Sequence, residues 1–285
     1  MMVERRPVLT FMTHALLILG IVIMLLPIYV AFVTSTQSIE TLNSATQVIP
    51  MLPGHEFATN YQTALVGSSQ YNIPPALLLL WNSFLMALAI AVGKIILALI
   101  SAYAVVYFNF RFKMLFFWAI FLTLMLPVEV RIVPTYDIVV SLGMLNTFAG
   151  LTLPLIASAT ATFMFRQFFM TIPRQYAEAA AIDGAGPVRF FIDVVLPLSK
   201  TNIVALFIVM FIYGWNQFLW PLIITSSDQS LHTIVMGLMQ IADTLGQIPN
   251  WNFIMAEVML ATIIPVLIVV IMQRWFVKGL METDK

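Results

Sequence analysis

Residues 77–107 read LLLLWNSFLMALAIAVGKIILALISAYAVVY, an apolar run interrupted by one charge, Lys94. A bilayer's hydrocarbon core takes about 20 apolar residues per helix, so the run is long enough to cross. It lacks the alternation of a membrane barrel strand and is far longer than the roughly 9–11 residues such a strand needs. It is therefore expected to be a membrane helix. Working outward, five more runs of the same kind occur at about 12–33, 114–134, 144–166, 202–224 and 254–276. The expected fold class is an all-α membrane protein with six transmembrane helices, forming a single transmembrane domain over residues 1–285.

Composition supports that reading. The chain is 61% hydrophobic and 9% charged, against about 45–50% apolar and 25% charged in ordinary soluble domains. Such a sequence cannot be solvated as a soluble globule. Thirteen Lys and Arg balance thirteen Asp and Glu, so no overall basic field exists to hold nucleic acid. The absence of cysteine removes disulfide frameworks, thiolate catalysis and cysteine-ligated metal centres together. His14, His55 and His232 are scattered, and no metal site is expected. The first run follows Arg5 and Arg6 as a signal peptide would, but it exceeds an apolar region of about 7–15 residues and no small-residue cleavage site follows. It is expected to be a retained span.

Orientation follows from where the cations fall. Arg5 and Arg6, Arg111 and Lys113, the group Arg166, Arg174, Arg189 and Lys200, and the terminal Arg274, Lys278 and Lys285 all fall on one side of the six spans. Arg131 alone is opposite. Under the positive-inside rule both termini and the loop between the fourth and fifth spans are cytoplasmic. The loops at about 34–76 and 225–253 have no Lys or Arg and are rich in turn formers such as Pro50, Pro53, Gly54, Pro74 and Pro75. They are the expected extracytoplasmic contact surface.

The segment Thr171 to Lys200, TIPRQYAEAAAIDGAGPVRFFIDVVLPLSK, has a different periodicity and divides into two short helices. The first runs from about Arg174 to Ile182 and is rich in alanine, which favours helix without bulk. Gly184 and Gly186 break it, since glycine tolerates the backbone angles of a sharp helix exit. Pro187 suits the first turn of the second helix. There Phe190, Phe191, Val194, Val195 and Leu198 share one face, while Arg189 and Asp193 lie four apart on another. A helical hairpin lying on the membrane would normally carry a wide basic face. Here Glu178, Asp183 and Asp193 are mixed with the cations, and the alanine run lets another protein approach closely. The loop reads as a protein socket.

Glu178-Ala179-Ala180, then Gly184 six residues after the glutamate, then Val194 and Leu196-Pro197 resemble the EAA motif of permease subunits in bacterial ATP-binding-cassette importers. The family usually has isoleucine where this chain has Val194. Ala181-Ile182-Asp183-Gly184-Ala185 is similar to the carbohydrate-uptake, maltose-permease-like version of that loop. Thr123 to Thr135, Ala149 to Thr171, Pro197 to Asn202 and Phe211 to Leu222 resemble the branch of this family that imports sn-glycerol-3-phosphate. The resemblance implies a type I importer permease fold in the bacterial inner membrane. It also implies a second, different permease, two ATPase subunits and a periplasmic substrate-binding protein as partners. ATP and Mg are then bound by the ATPase, with no cofactor in this chain. Glu178, Ala179, Ala180, Asp183 and Gly184 inherit, by position, the role of a coupling helix docked on the ATPase.

Three further residues are candidates for a substrate pathway: Lys94, Tyr213 and Asn216. Lys94 reads either as a positive contact for an anionic substrate or, more ordinarily, as a structural lysine paired at the interface with the partner permease. Glu129 and Arg131 read as a structural ion pair or as part of a gate. In the run Tyr213-Gly214-Trp215-Asn216-Gln217-Phe218-Leu219-Trp220, the amides should face partners or water rather than lipid. The aromatic rings suit either a hydroxylated ligand or an interfacial belt.

The chain lacks the G-x-x-x-x-G-K-[ST] phosphate loop, since Gly93-Lys94 is followed by Ile95 inside a span, so the energy for import must come from a partner. The expected function is that of a non-catalytic permease for sn-glycerol-3-phosphate or related glycerophosphodiesters. A permease for a neutral sugar or oligosaccharide is the alternative. A polytopic enzyme such as a lipid-headgroup transferase would need several aspartates clustered at membrane depth, which the chain does not offer. A self-sufficient secondary transporter would show an inverted repeat or a chain of intramembrane carboxylates, and neither is evident.

Overall fold

The computed structural model describes residues 7–44, 50–71, 73–123, 128–242 and 250–281. In chain order the principal helices are α1 (Pro7–Ser35), α2 (Phe57–Val66), α3 (Ala76–Tyr107), α4 (Lys113–Leu122), α5 (Val128–Ser141), α6 (Phe148–Thr152), α7 (Ala159–Thr171), α8 (Arg174–Ile182), α9 (Pro187–Leu198), α10 (Lys200–Trp215), α11 (Leu219–Ile224), α12 (Ile234–Ala242) and α13 (Trp251–Met281). Among the described residues no strand occurs, only an isolated bridge between Ser68 and Ile73. The all-α class is as the apolar runs imply.

Among the described residues three helices are long and apolar enough to cross a membrane: Val8–Ser35, Ala76–Tyr107 and Trp251–Gln273. Two bent pairs raise the number to five: Phe148–Leu155 with Ala159–Thr171, bent by 45°, and Pro187–Leu198 with Lys200–Trp215, bent by 74°. The expected span at 114–134 corresponds to α4 and the start of α5, with residues 124–127 outside the described residues.

The breaks have local causes. Between α6 and α7, Ser158 takes an extended backbone and its hydroxyl caps the next helix by accepting from the Ala161 amide at 3.2 Å, an N-cap arrangement that starts a helix afresh. After α10, Gln217 turns its amide Nε2 back to the Tyr213 carbonyl at 3.1 Å. That side chain satisfies one of the carbonyls a helix leaves unpaired at its C-terminus, and α11 starts again at Leu219.

The chain folds as two compact units, Met1–Leu77 with Gly237–Ile263, and Leu78–Met236 with Ile264–Lys285. In the first, the apolar side chains of α1 from Val8 to Tyr29 are exposed, and burial begins at Val33. Lipid is the solvent that such a helix suits. The loop at 34–76 contains α2, whose Asn60 donates to the Ser35 and Gln37 carbonyls at 2.9 and 2.8 Å and accepts from Asn252 Nδ2 at 3.0 Å. Ile73, Ile241, Phe253 and Ile254 form the core of this unit.

In the second unit Met86 and Ile90 of α3 pack with Val139, Leu151, Trp220 and Ile224. Trp220 is buried and donates its indole N–H to the Gly150 carbonyl at 3.1 Å, which gives it a packing role. The Asn82 side chain donates to the Ser230 and His232 carbonyls at 2.7 and 3.0 Å. Ser83 accepts from the Ile234 amide at 2.8 Å. These bonds fix the loop before α12 against the start of α3.

Candidate functional site

The hairpin of α8 and α9 has the boundaries its sequence implies. Its turn is a Schellman motif: the Ala185 amide donates to the Ala180 carbonyl at 2.8 Å and the Gly184 amide to the Ala181 carbonyl at 3.1 Å. That closure requires a left-handed residue after the cap, and Gly184 supplies it with φ +71°. A Cβ at Gly184 would meet nothing within 4 Å, so the demand for glycine comes from the backbone alone.

None of the residues of α8 is buried, and Glu178, Ala179, Asp183 and Gly184 are exposed, with Ala180 half-buried. Ile182 and Val188 are 86% and 71% exposed. Acid, small and apolar groups thus lie together around a turn that projects from the second unit.

α9 is held differently. Phe190 and Val195 are buried, and Tyr103 near the end of α3 donates its hydroxyl to the Pro187 carbonyl at 2.7 Å. The Tyr103 ring lies 4.7 Å from that of Phe191, and the Tyr107 ring 5.3 Å from that of Phe190, edge-on. Aromatic pairs at such separations add about 0.5–1.5 kcal/mol beyond their buried area. A wider, π-type turn occupies Phe191–Val195, and the chain then bends into α10. The Arg189–Asp193 pair, 3.2 Å apart and exposed on both sides, adds only a few tenths of a kcal/mol, roughly 0.3–0.5.

The second cluster lies where α3 meets α10. A Cβ on Gly214 would stand 2.9 Å from Ala87 Cα, so the absence of a side chain there allows close approach. Helical side chains lean toward the N-terminus of their own helix, and Lys94 reaches back along α3 in that direction. Its ammonium sits 3.5 Å from the centroid of the Tyr213 ring, and the residue is 5% exposed. A desolvated cation–π contact contributes about 2 kcal/mol, against roughly 2.5–3.5 kcal/mol for placing a lysine at mid-span. The ring therefore offsets much of the cost without neutralising the charge. Among the described residues no carboxylate lies within ion-pairing distance of Lys94.

The structure therefore brings Lys94 and Tyr213 together. Asn216 stands apart from this contact, exposed at the end of α10 with its amide N–H returned to the Ile212 carbonyl at 3.1 Å. The polar side chain that engages Tyr213 is the neighbouring Gln217, through the backbone. Arg131 is exposed on α5, and the Glu129 side chain lies outside the described residues.

Two features were not singled out from sequence. Tyr103 and Tyr107, spaced one turn apart at one end of a span, carry the signal of a side-chain pair on a single helix face. Glu257 of α13 is fully buried, and neither carboxylate oxygen has a hydrogen-bond partner among the described residues. A lone acid in an apolar span was its signal. No group of three potential metal ligands occurs among the described residues.

Residues 94–282 match the family of inner membrane components of binding-protein-dependent transport systems. The chain belongs to that family. The matched stretch starts at Lys94 and contains the whole hairpin. Over its full length the chain is 54% identical to the sn-glycerol-3-phosphate transport system permease protein UgpE of Brucella melitensis, covering all of both chains. It is 53% identical to the protein of that name from Rhizobium meliloti and 51% identical to that from Yersinia pestis, again with complete coverage of both chains. A crystal structure of a bacterial ABC transporter involved in import of the acidic polysaccharide alginate contains a chain with the same fold, with a TM-score of 0.78 at 20% identity, covering 96% of this chain and 99% of that one. As an inner membrane transport component the chain is a permease and not an enzyme.

Proposed function

We propose that the chain is one of two unlike permeases of an importer for sn-glycerol-3-phosphate and related glycerophosphodiesters. The observation that carries this reading is the full-length identity of 51–54% with permeases named for sn-glycerol-3-phosphate transport. The importer acts in the bacterial inner membrane and is completed by two ATPase subunits, which hold ATP and Mg, and by a periplasmic binding protein. The chain works as a single permease domain with both termini in the cytoplasm, as the side bearing most of its cations requires.

Transport proceeds by alternating access. The loaded binding protein docks on the outer loops while ATP draws the two ATPase subunits together. Glu178, Ala179, Ala180, Asp183 and Gly184 form the face that the ATPase grips. Movement of the hairpin passes through α9 into α10 and, by way of Tyr103, into α3. A short helix with no buried side chain of its own suits docking in a partner cleft, and an anchored neighbour suits transmission.

The test is uptake by the reconstituted complex, with cysteines placed singly for labelling in intact cells. Uptake of sn-glycerol-3-phosphate that depends on ATP and on the binding protein is the expected result, with a cysteine at Gln229 labelled from outside and one at Gln175 protected. Selective uptake of a neutral sugar would replace the substrate, and outside labelling at Gln175 would reverse the orientation.

A further inference from the structure

Lys94 is buried in the second unit and rests on an aromatic face instead of a carboxylate. A ring quadrupole attracts a cation but leaves its full charge in place. Lys94 has no ion-pair partner among the described residues. A buried ammonium whose charge is not neutralised is a poor place for a second cation and a good one for an anion.

The surroundings make this a built position. Ala87 and Gly214 let α3 and α10 approach closely, and Gly93 lies against Ile156, where any Cβ would collide with that side chain. The ammonium, 3.5 Å from the centroid of the Tyr213 ring on a residue only 5% exposed, is held against that ring. A held ammonium keeps its donors for one incoming acceptor and loses little rotamer freedom when that acceptor arrives.

We propose that Lys94, positioned by the ring of Tyr213, is the contact for the phosphoryl group of the substrate during its passage. The ligand class is a phosphate monoester or diester, whose oxygens accept from an ammonium in a charge-assisted hydrogen bond. Tyr213 is a positioning residue, since its hydroxyl is not required for the ring to hold the cation. The inference rests on the substrate reading above and goes further by assigning the anion to this subunit and to one side chain.

The experiment uses the complete importer in vesicles, with sn-glycerol-3-phosphate as the probe and Lys94→Met and Lys94→Arg as the variants. Methionine keeps length and removes charge, and arginine keeps charge. In Lys94→Met the KM for uptake should rise about tenfold or more, the scale of one charge-assisted hydrogen bond, while the variant copurifies with all partners. In Lys94→Arg the KM should stay within about threefold of wild type, as expected where a charge and not a fork geometry is read. Uptake by Lys94→Met equal to wild type would overturn the assignment. So would a Lys94→Met complex that falls apart while Lys94→Arg holds, because the lysine would then be pairing with a carboxylate of the second permease. If the wild-type importer itself takes up no phosphate ester, the substrate reading fails and this inference falls with it. Wild-type uptake alongside an unaffected Lys94→Met sinks the inference alone.

Discussion

The two helices of the hairpin are joined by four residues, yet they are held in opposite ways. α8 buries none of its residues and has only its turn to shape it. α9 is tied to α3 by the Tyr103 hydroxyl on the Pro187 carbonyl and by tilted and edge-on rings. The difference separates two tasks within a single motif. Gripping a partner needs an exposed surface of fixed shape, whereas passing on a displacement needs contacts within the chain.

Gly184→Val should have the largest effect. A β-branched residue is strained at a φ of +71°, at a cost of roughly 1–3 kcal/mol, so the turn opens and both tasks suffer. Retention of the ATPase and binding-protein-stimulated hydrolysis should each fall about tenfold, with membrane insertion unchanged because no span is altered. Glu178→Lys leaves the turn intact and reverses one exposed charge, which is worth about 1 kcal/mol or near fivefold. Here copurification of the ATPase should weaken, and raised salt should narrow the gap between variant and wild type. Tyr103→Phe keeps the ring and removes one part-buried hydrogen bond, worth about 0.5 kcal/mol at the low end of the usual range. Association should then match wild type while stimulated hydrolysis drops two- to threefold, on the order of that lost bond. If Tyr103→Phe weakens association as Glu178→Lys does, the division between the helices is wrong.

The hairpin was legible because its signals are local. An alanine run, a glycine followed by Gly186 and a proline state where α8 ends and α9 begins, and the structure places those boundaries at Ile182 and Pro187. The spans were legible in position but not in continuity. Apolar composition is the same on both sides of Ser158, and hydropathy does not register the hydroxyl that caps the helix after it. The Tyr103 anchor joins residues 84 apart in sequence, and no local pattern reveals such a pairing. Lys94 was conspicuous as a charge in a span, but its seat on Tyr213 depends on how closely α3 and α10 approach. Asn216 looked equivalent to its neighbours in sequence. Its place at the helix end separates it from Tyr213, three residues earlier and facing α3.

Asn60 has a consequence of another kind. Both of its amide hydrogens and its carbonyl oxygen are engaged, by Ser35, Gln37 and Asn252, the last 192 residues away along the chain. Because donors and acceptor of an asparagine occupy distinct positions, a flipped amide would set NH2 against NH2 and oxygen against oxygen, losing all three bonds together. The stitch is therefore all-or-none, closing three distant stretches as one event. In a chain without cysteine it takes the place of a covalent fastener, and neither oxidants nor thiol reductants can change its strength.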